Sequence, residues 1–589
     1  MDSATATPTA KCRRRAQAAR SILAGLLIAS VVWFARFSRS AEFGLYEDDW
    51  TRIPGAIEMS SGQLAAFALD SLANFRGQGR PLHQIFIAGF SALGWMIDRL
   101  HGIYLIGYLI VASNAVLFYI LLRRIHSHQL GIVGALAFAL YSADSTQAFI
   151  THSFGLQTSL TLLLLASLSY VSRRPALAYS LLLASVLTYE TPYFVFLAIP
   201  LLAYPWDRQA PRRLALHAAI MAALFLTLTL LRLMVGDINL EIVSSGARLE
   251  TSLRHMLLGP VWSLRSFLDR PRETFPTADP NMALVVLAAF CVFLAVLYGW
   301  AIARDRGTAD ADAKPAGGRS DQAARRHQLF VAGGLRNERI QVLLRLAGVG
   351  LLMLVLAYPL TFTTEPYFVY GRVTRIHLAA VAGTSLLIAS LWMIVVEGLP
   401  NEAPRLAASA MLALGFAALM GFGQLLQQSY VASWESQKAV WRQLLTLAAD
   451  SGDGTAIVVD SSRLEAGLHI GANSWNMPRV LEGILRFPSA WQVPPSAYRM
   501  KPGWQALLDA DGGRLVLGPP AADTPPDHVR EAESGDLILI VTDGGDFVRQ
   551  DSPIEVNGRA YPLKPRSPPI LPLLERRPFF HFLIDDVAP

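Results

Sequence analysis

"GIYLIGYLIVASNAVLFYILL", residues 102–122, holds twenty-one residues without a charge and is followed at once by "RRIHSH" (123–128). A helix rises 1.5 Å per residue, so a run of about 20 residues crosses the roughly 30 Å hydrocarbon core of a bilayer. Similar uncharged runs recur at "ALVVLAAFCVFLAVLYGWAIA" (283–303) and "HLAAVAGTSLLIASLWMIVV" (377–396). The whole chain of 589 residues is 53% hydrophobic and 16% charged, with a mean hydropathy of +0.36. Soluble proteins are about 25% charged. The composition therefore predicts an all-α polytopic transmembrane bundle.

Charge and cysteine exclude other classes. The formal charge of +6 arises from basic clusters at the ends of apolar runs, a topology signal rather than a nucleic-acid footprint. Cys12 lies in a basic tail and Cys291 in an apolar span, so neither a disulfide framework nor a zinc motif is present. "SILAGLLIASVVWFARF" (21–37) follows "KCRRRAQAAR" but ends in bulky and charged residues. It reads as an uncleaved first span with a cytoplasmic amino terminus (1–20), not a signal peptide.

Basic loops then set the crossings. "RRIHSH", "SRRP" (172–175), "WDRQAPRR" (206–213) and the loop 304–341 are expected in the cytoplasm. Parity between them predicts spans near 130–150 and 154–172. It also makes 176–204 a hairpin of two short helices turning at "YETP" (189–192). Further spans are expected at 214–235 and 283–303, separated by a polar outer loop at 236–282, and at 342–363, 376–396 and 406–426. The total is about eleven. "PLHQIFIAGFSALGWM" (81–96) reads as an amphipathic helix on the outer surface, within the outer loop 39–101. The transmembrane domain thus covers 21–426. From 427 a helix and strand-like "TAIVVD" (455–460), "GRLVLG" (513–518) and "DLILIVTDG" (536–544), separated by Pro, Gly and Asp, predict a C-terminal soluble α/β domain outside the membrane (427–589). It carries no glycine motif for nucleotide binding.

The chemistry concentrates at outer ends of the spans. "GLYEDDWTRIPGA" (44–56) puts Glu47, Asp48 and Asp49 together between Tyr46 and Trp50. The aromatic pair suits an interfacial belt. Adjacent carboxylates repel, raising each other's pKa unless a cation or donor compensates. At a cavity mouth such acids can bind a divalent metal or deprotonate an acceptor hydroxyl; otherwise they form a solvated loop. "FRGQGRPLHQ" (75–84) adds Arg76, Arg80, His83 and Gln84, and Arg232, Arg372 and Arg375 lie at other outer ends. Guanidinium forks recognise phosphate oxygens, so the set predicts a lipid-phosphate site. Glu190 in "YETP" is either a solvated turn residue or directed into the bundle, where ionisable groups are functional candidates. His152 and Asp144 lie in the next outer turn.

This order of features resembles the GT-C superfamily of membrane glycosyltransferases, which use polyprenyl-phosphate-linked sugars. The resemblance rests on "YEDDW" after the first span, "GRPL" (79–82) in the same loop, about eleven crossings and a soluble outer carboxy-terminal domain, and covers roughly 20–430. It implies a bacterial inner-membrane enzyme, inverting by direct displacement on the periplasmic side. Asp48 or Asp49 would act as base on, or hold, the acceptor, helped by Glu47. Arg80, Arg372 and Arg232, with Arg375 and Arg76, would hold the donor phosphate and stabilise the leaving group. His83, Gln84, Glu190 and His152 would contact sugar or acceptor. Some members hold a divalent ion, Mg2+ or Mn2+, at these acids (here Asp48 and Asp49), and others do not. The acceptor would be an envelope glycan, lipid or protein. The competing readings are an envelope polysaccharide ligase or polymerase, and a transporter or flippase of lipid-linked sugars.

Overall fold

The computed structural model describes residues 8–204, 206–234, 247–277, 280–312, 321–361, 365–367, 370–399, 401–460, 469–470, 477–500, 514–517, 530–533, 535–543, 546–556 and 559–585. The chain is mostly helical. Among the described residues seven helices are long and apolar enough to cross a membrane: Gln17–Glu42, Pro81–Ile125, His152–Val171, Ala210–Met234, Pro280–Gly299, Ala380–Gly398 and Glu402–Leu447. Large side chains such as Leu23, Leu109, Leu226, Leu284, Leu287 and Leu414 are exposed on their outer faces. Water would penalise so much exposed apolar surface, whereas lipid tails would not.

Four segments depart from the sequence-based expectation. The span expected at 130–150 is the twelve-residue helix His128–Ala139, about 18 Å long. Beyond it residues 140–151 form an irregular, buried stretch whose backbone is met by Asp144 at Thr146 N–H and by side chains from other segments, Thr374 at Ser145 N–H, Tyr430 at the Ser145 carbonyl and Asp49 at Thr151 N–H. The hairpin 176–204 consists, as expected, of short pieces, Pro175–Thr188 and Tyr193–Ala203, on either side of Glu190.

The polar loop expected at 236–282 contains the 31-residue helix Ala247–Thr277. Leu249, Leu253, Leu257, Val261 and Leu268 face outward together with Arg254, Arg265 and Arg272, while His255, Ser263, Ser266, Arg270 and Thr274 are buried. Charged residues in the sequence conceal a helix whose polar stripe faces the bundle. Tyr141 Oη and Ser263 Oγ lie 2.7 Å apart, and Thr274 donates to the Ala418 carbonyl at 2.9 Å.

No break separates the last span from the carboxy-terminal region at 427. Glu402–Leu447 is one helix of 46 residues, about 69 Å long. It leads to a four-stranded sheet in the order Ser496–Met500, Ala456–Asp460, Leu537–Asp543 and Asp546–Arg549. The first three strands are parallel and the last is antiparallel. Arg514–Leu517 pairs instead with Arg530–Glu533 in a separate ladder.

The segment 81–96 is the start of the helix Pro81–Ile125, which is interrupted at Asp98 (φ −160°) and Arg99 (φ 48°). The two halves fold tightly on each other: a Cβ on Gly102 would lie 2.2 Å from the Gly94 carbonyl oxygen.

Candidate functional site

The acidic stretch leaves the first long helix through a π-helical turn, Trp33–Phe37, a feature common near functional sites. Tyr46 and Trp50 are not interfacial anchors. Both are buried, Trp50 to 2% exposure. Trp50 Nε1 donates to Gln437 at 3.2 Å and its ring stacks on Trp434 at 6.3 Å. Tyr46 Oη donates to the Tyr430 carbonyl at 2.8 Å. The long helix Glu402–Leu447 therefore clamps this loop, helped by Phe579 against Trp50 at 6.2 Å. The expectation failed because an aromatic pair beside a span suits a protein interior as well as a lipid interface.

Glu47 adopts φ 45°, the left-handed region that a side chain enters only when the surroundings impose it. After this turn Asp48 and Asp49 face different partners. Asp49 is fully buried and accepts the N–H groups of Tyr46 at 3.1 Å and Thr151 at 2.9 Å. Burial pushes its carboxyl up to about 7, although both N–H groups favour the ionised form. Asp48 instead meets Arg372 at 2.8 Å and Arg375 at 3.7 Å. These arginines follow Gly371, whose φ of 72° turns the chain and whose N–H donates to the His469 carbonyl at 2.8 Å.

A second cluster forms beside the first. Phe75, Gly77 and Gly79 all have positive φ, and this irregular loop delivers Arg80 to Glu190. The guanidinium grips the carboxylate with two hydrogen bonds, one of 2.8 Å from Nε, and lies 4.6 Å over the Tyr189 ring. Arg232 approaches the same carboxylate at 3.4 Å. Burial alone would raise the Glu190 carboxyl, but Arg80 and Arg232 outweigh it and hold the group down at about 2.

His83 links the clusters. Its ring lies 6.1 Å from Tyr189, within electrostatic reach of Arg80, Arg52, Glu190 and Asp48. Gln84 accepts a hydrogen bond from Arg52 at 2.8 Å. His152 opens a π-helical turn, His152–Leu156, and Asp48, Arg372, Arg375 and His83 surround it electrostatically. Arg76 stands apart: it pairs with Asp70 and is 60% exposed.

Arg52, Arg80, Arg232, Arg372 and Arg375 thus converge with Glu47, Asp48 and Glu190. Four arginines paired on two carboxylates, Arg80 and Arg232 on Glu190 and Arg372 and Arg375 on Asp48, favour an anionic ligand. Arg52 was not singled out from the sequence, although its position four residues after Asp48, one helical turn away, was a usable signal. Asp48 and Asp49 do not present a joint donor set, and among the described residues no group of three His, Cys, Asp or Glu side chains could hold a metal ion.

The fold and site define a helical protein of membrane-spanning character with an arginine-rich ionic cluster at one end of its bundle. No protein-family model matches the chain, and no curated protein matches it.

Proposed function

We propose that this protein is an integral-membrane glycosyltransferase of the GT-C type. It transfers a sugar from a polyprenyl-phosphate-linked donor to a cell-envelope acceptor on the outer face of the bacterial cytoplasmic membrane. The observation that carries this reading is the convergence of Asp48, Arg372 and Arg375 beside the Glu190, Arg80 and Arg232 cluster. An arginine cluster held by carboxylates near the ends of apolar helices suits a lipid phosphate.

In this reading Arg372 and Arg375 bind the donor phosphate and stabilise the charge on the leaving group. Asp48 orients them in the resting site and holds the acceptor hydroxyl when the phosphate draws them away. Asp49 anchors the loop to the backbone of Thr151, and Glu47 sets the turn that separates the two aspartates. The buried grip on Glu190 makes Arg80 and Arg232 a rigid wall. The positive-inside pattern of 123–128, 172–175 and 206–213 supports an amino terminus in the cytoplasm and the site outside. In this reading Pro175–Thr188, Tyr193–Ala203, Asp321–Val355 and the helix His128–Ala139 with the irregular stretch 140–151 after it count as the remaining crossings, for about eleven. Residues beyond the helix Glu402–Leu447 then form the periplasmic domain.

Deleting the gene and restoring it tests the reading. Mass analysis of envelope glycans is expected to show loss of one sugar unit on deletion and its return on complementation. An unchanged profile contradicts it.

A further inference from the structure

We propose that His152 takes the proton from the acceptor hydroxyl through a fixed Nε2 lone pair; the step rests on the glycosyl-transfer reading above. Asp144 Oδ1 accepts two hydrogen bonds from Thr146, from the N–H at 2.9 Å and from the hydroxyl at 2.7 Å. Thr146 Oγ1 also lies 2.8 Å from His152 Nδ1. A threonine hydroxyl has one proton, and here it is directed to the carboxylate. The contact with the ring is therefore Nδ1–H donating to Oγ1, which fixes the tautomer and leaves Nε2 as the basic nitrogen.

That nitrogen is buried and has no hydrogen-bond partner among the described residues. Buried acceptors are nearly always satisfied, so an orphan within a preorganised relay calls for a ligand. Its setting suits a hydroxyl. Thr151, the residue before, is tied to Asp49, so the start of the π-helical turn is pinned to the acidic loop. Its charged and titratable neighbours include Asp48, Arg372, Arg375 and His83, with Asp49 on the N–H of Thr151 and Asp144 behind Thr146. His83 also has an orphan ring nitrogen, Nδ1, but no hydroxyl–carboxylate relay fixes its tautomer.

In the step, the acceptor O–H bond breaks and its proton passes to Nε2. The oxygen's electron pair forms the bond to the anomeric carbon of the donor. The bond from that carbon to the phosphate oxygen breaks, and its electrons leave with the polyprenyl phosphate. The imidazolium, steadied through Thr146 by Asp144, returns its proton to water. Asp144 and Thr146 act through His152 and are positioning residues.

Two measurements on the purified full chain test this. Nitrogen-15 NMR of labelled histidine should give His152, assigned by its loss in His152→Gln, a protonated Nδ1 and a pyridine-type Nε2. The reverse tautomer overturns the proposal. Membranes lacking the native copy then supply donor and acceptor for transfer, read by glycan mass. His152→Gln should slow transfer about 10²–10⁴-fold, the range for a lost general base, with unaltered binding of polyprenyl phosphate in vesicles. Thr146→Val should slow transfer and alter the tautomer balance, and Thr146→Ser should recover most of both. Near-wild-type transfer by a folded His152→Gln chain overturns the step alone. No transfer by the wild-type chain overturns the glycosyl-transfer reading and the step with it, while the NMR result still reports the tautomer.

Discussion

Two ionic clusters lie side by side and are built differently. Around Glu190, a bidentate arginine and a second arginine close on one carboxylate that is 16% exposed. Around Asp48, which is 27% exposed, Arg372 lies at 2.8 Å and Arg375 at 3.7 Å. The first is a closed brace whose arginines are geometrically committed. The second has the more exposed carboxylate, where the oxygens of a phosphate can enter. One set of residue types therefore serves two ends, and burial with geometry decides which.

The contrast can be broken most forcefully at the brace. Glu190→Ala leaves Arg80 and Arg232 partly buried without their carboxylate, and removing one partner of such a pair costs about 3–5 kcal/mol. Thermal unfolding of the purified chain should show a large loss. At the open cluster, Arg372→Ala should leave the thermal transition near its original position but lower transfer by about 10²–10³-fold, as for a lost charge-stabilising donor. If both variants lose stability equally, the clusters are not distinct.

Asp49→Ala orphans the N–H groups of Tyr46 and Thr151 and should destabilise by about 1–3 kcal/mol, visible as faster amide exchange in the acidic loop. Acid should separate the two regions. Glu190, depressed to about 2, contributes stability that is complete above about 4.5 and is lost as pH falls toward 2. Asp49, raised to about 7, favours the folded loop most when protonated. Its contribution is full below about 3.8 and declines as pH rises through 7. A melting series from pH 4 to 8 should therefore fall gently, and Asp49→Ala should flatten it. Least affected should be Arg76→Ala, an exposed pair worth under about 1 kcal/mol, with wild-type melting and transfer.

Much of the helix pattern was legible because long uncharged runs admit few other conformations. The runs at 283–303 and 406–426 fall in the helices Pro280–Asp312 and Glu402–Leu447, and 377–396 in Ala380–Gly398 apart from its first three residues. Residues 130–150 misled because hydropathy does not register that an irregular backbone inside a bundle can be met by Asp144 and by the distant side chains of Thr374, Tyr430 and Asp49. The helix Ala247–Thr277 was hidden because its charges suggested a solvated loop, whereas Arg254, Arg265 and Arg272 stay exposed on a helix that buries His255, Ser263, Ser266 and Arg270 against the bundle. The acids and arginines of the site were visible by type. Their assignment was not: the divergence of Asp48 from Asp49 depends on one left-handed residue, Glu47, and the pairing of Arg80 with Glu190 joins positions 110 residues apart. The relay from Asp144 to His152 likewise depends on where Thr146 directs its single hydroxyl proton.

The phosphate role of the open cluster is tested most directly by equilibrium binding of the purified full chain to vesicles with and without polyprenyl phosphate. The wild-type chain should bind the phosphate-bearing vesicles more tightly, with the difference weakening as salt rises. Arg372→Ala should lose at least about tenfold of that affinity, one charge-assisted contact of 1.4 kcal/mol or more, while Arg76→Ala should keep it. Equal binding by the wild-type and Arg372→Ala chains would contradict a lipid-phosphate site at Asp48, Arg372 and Arg375.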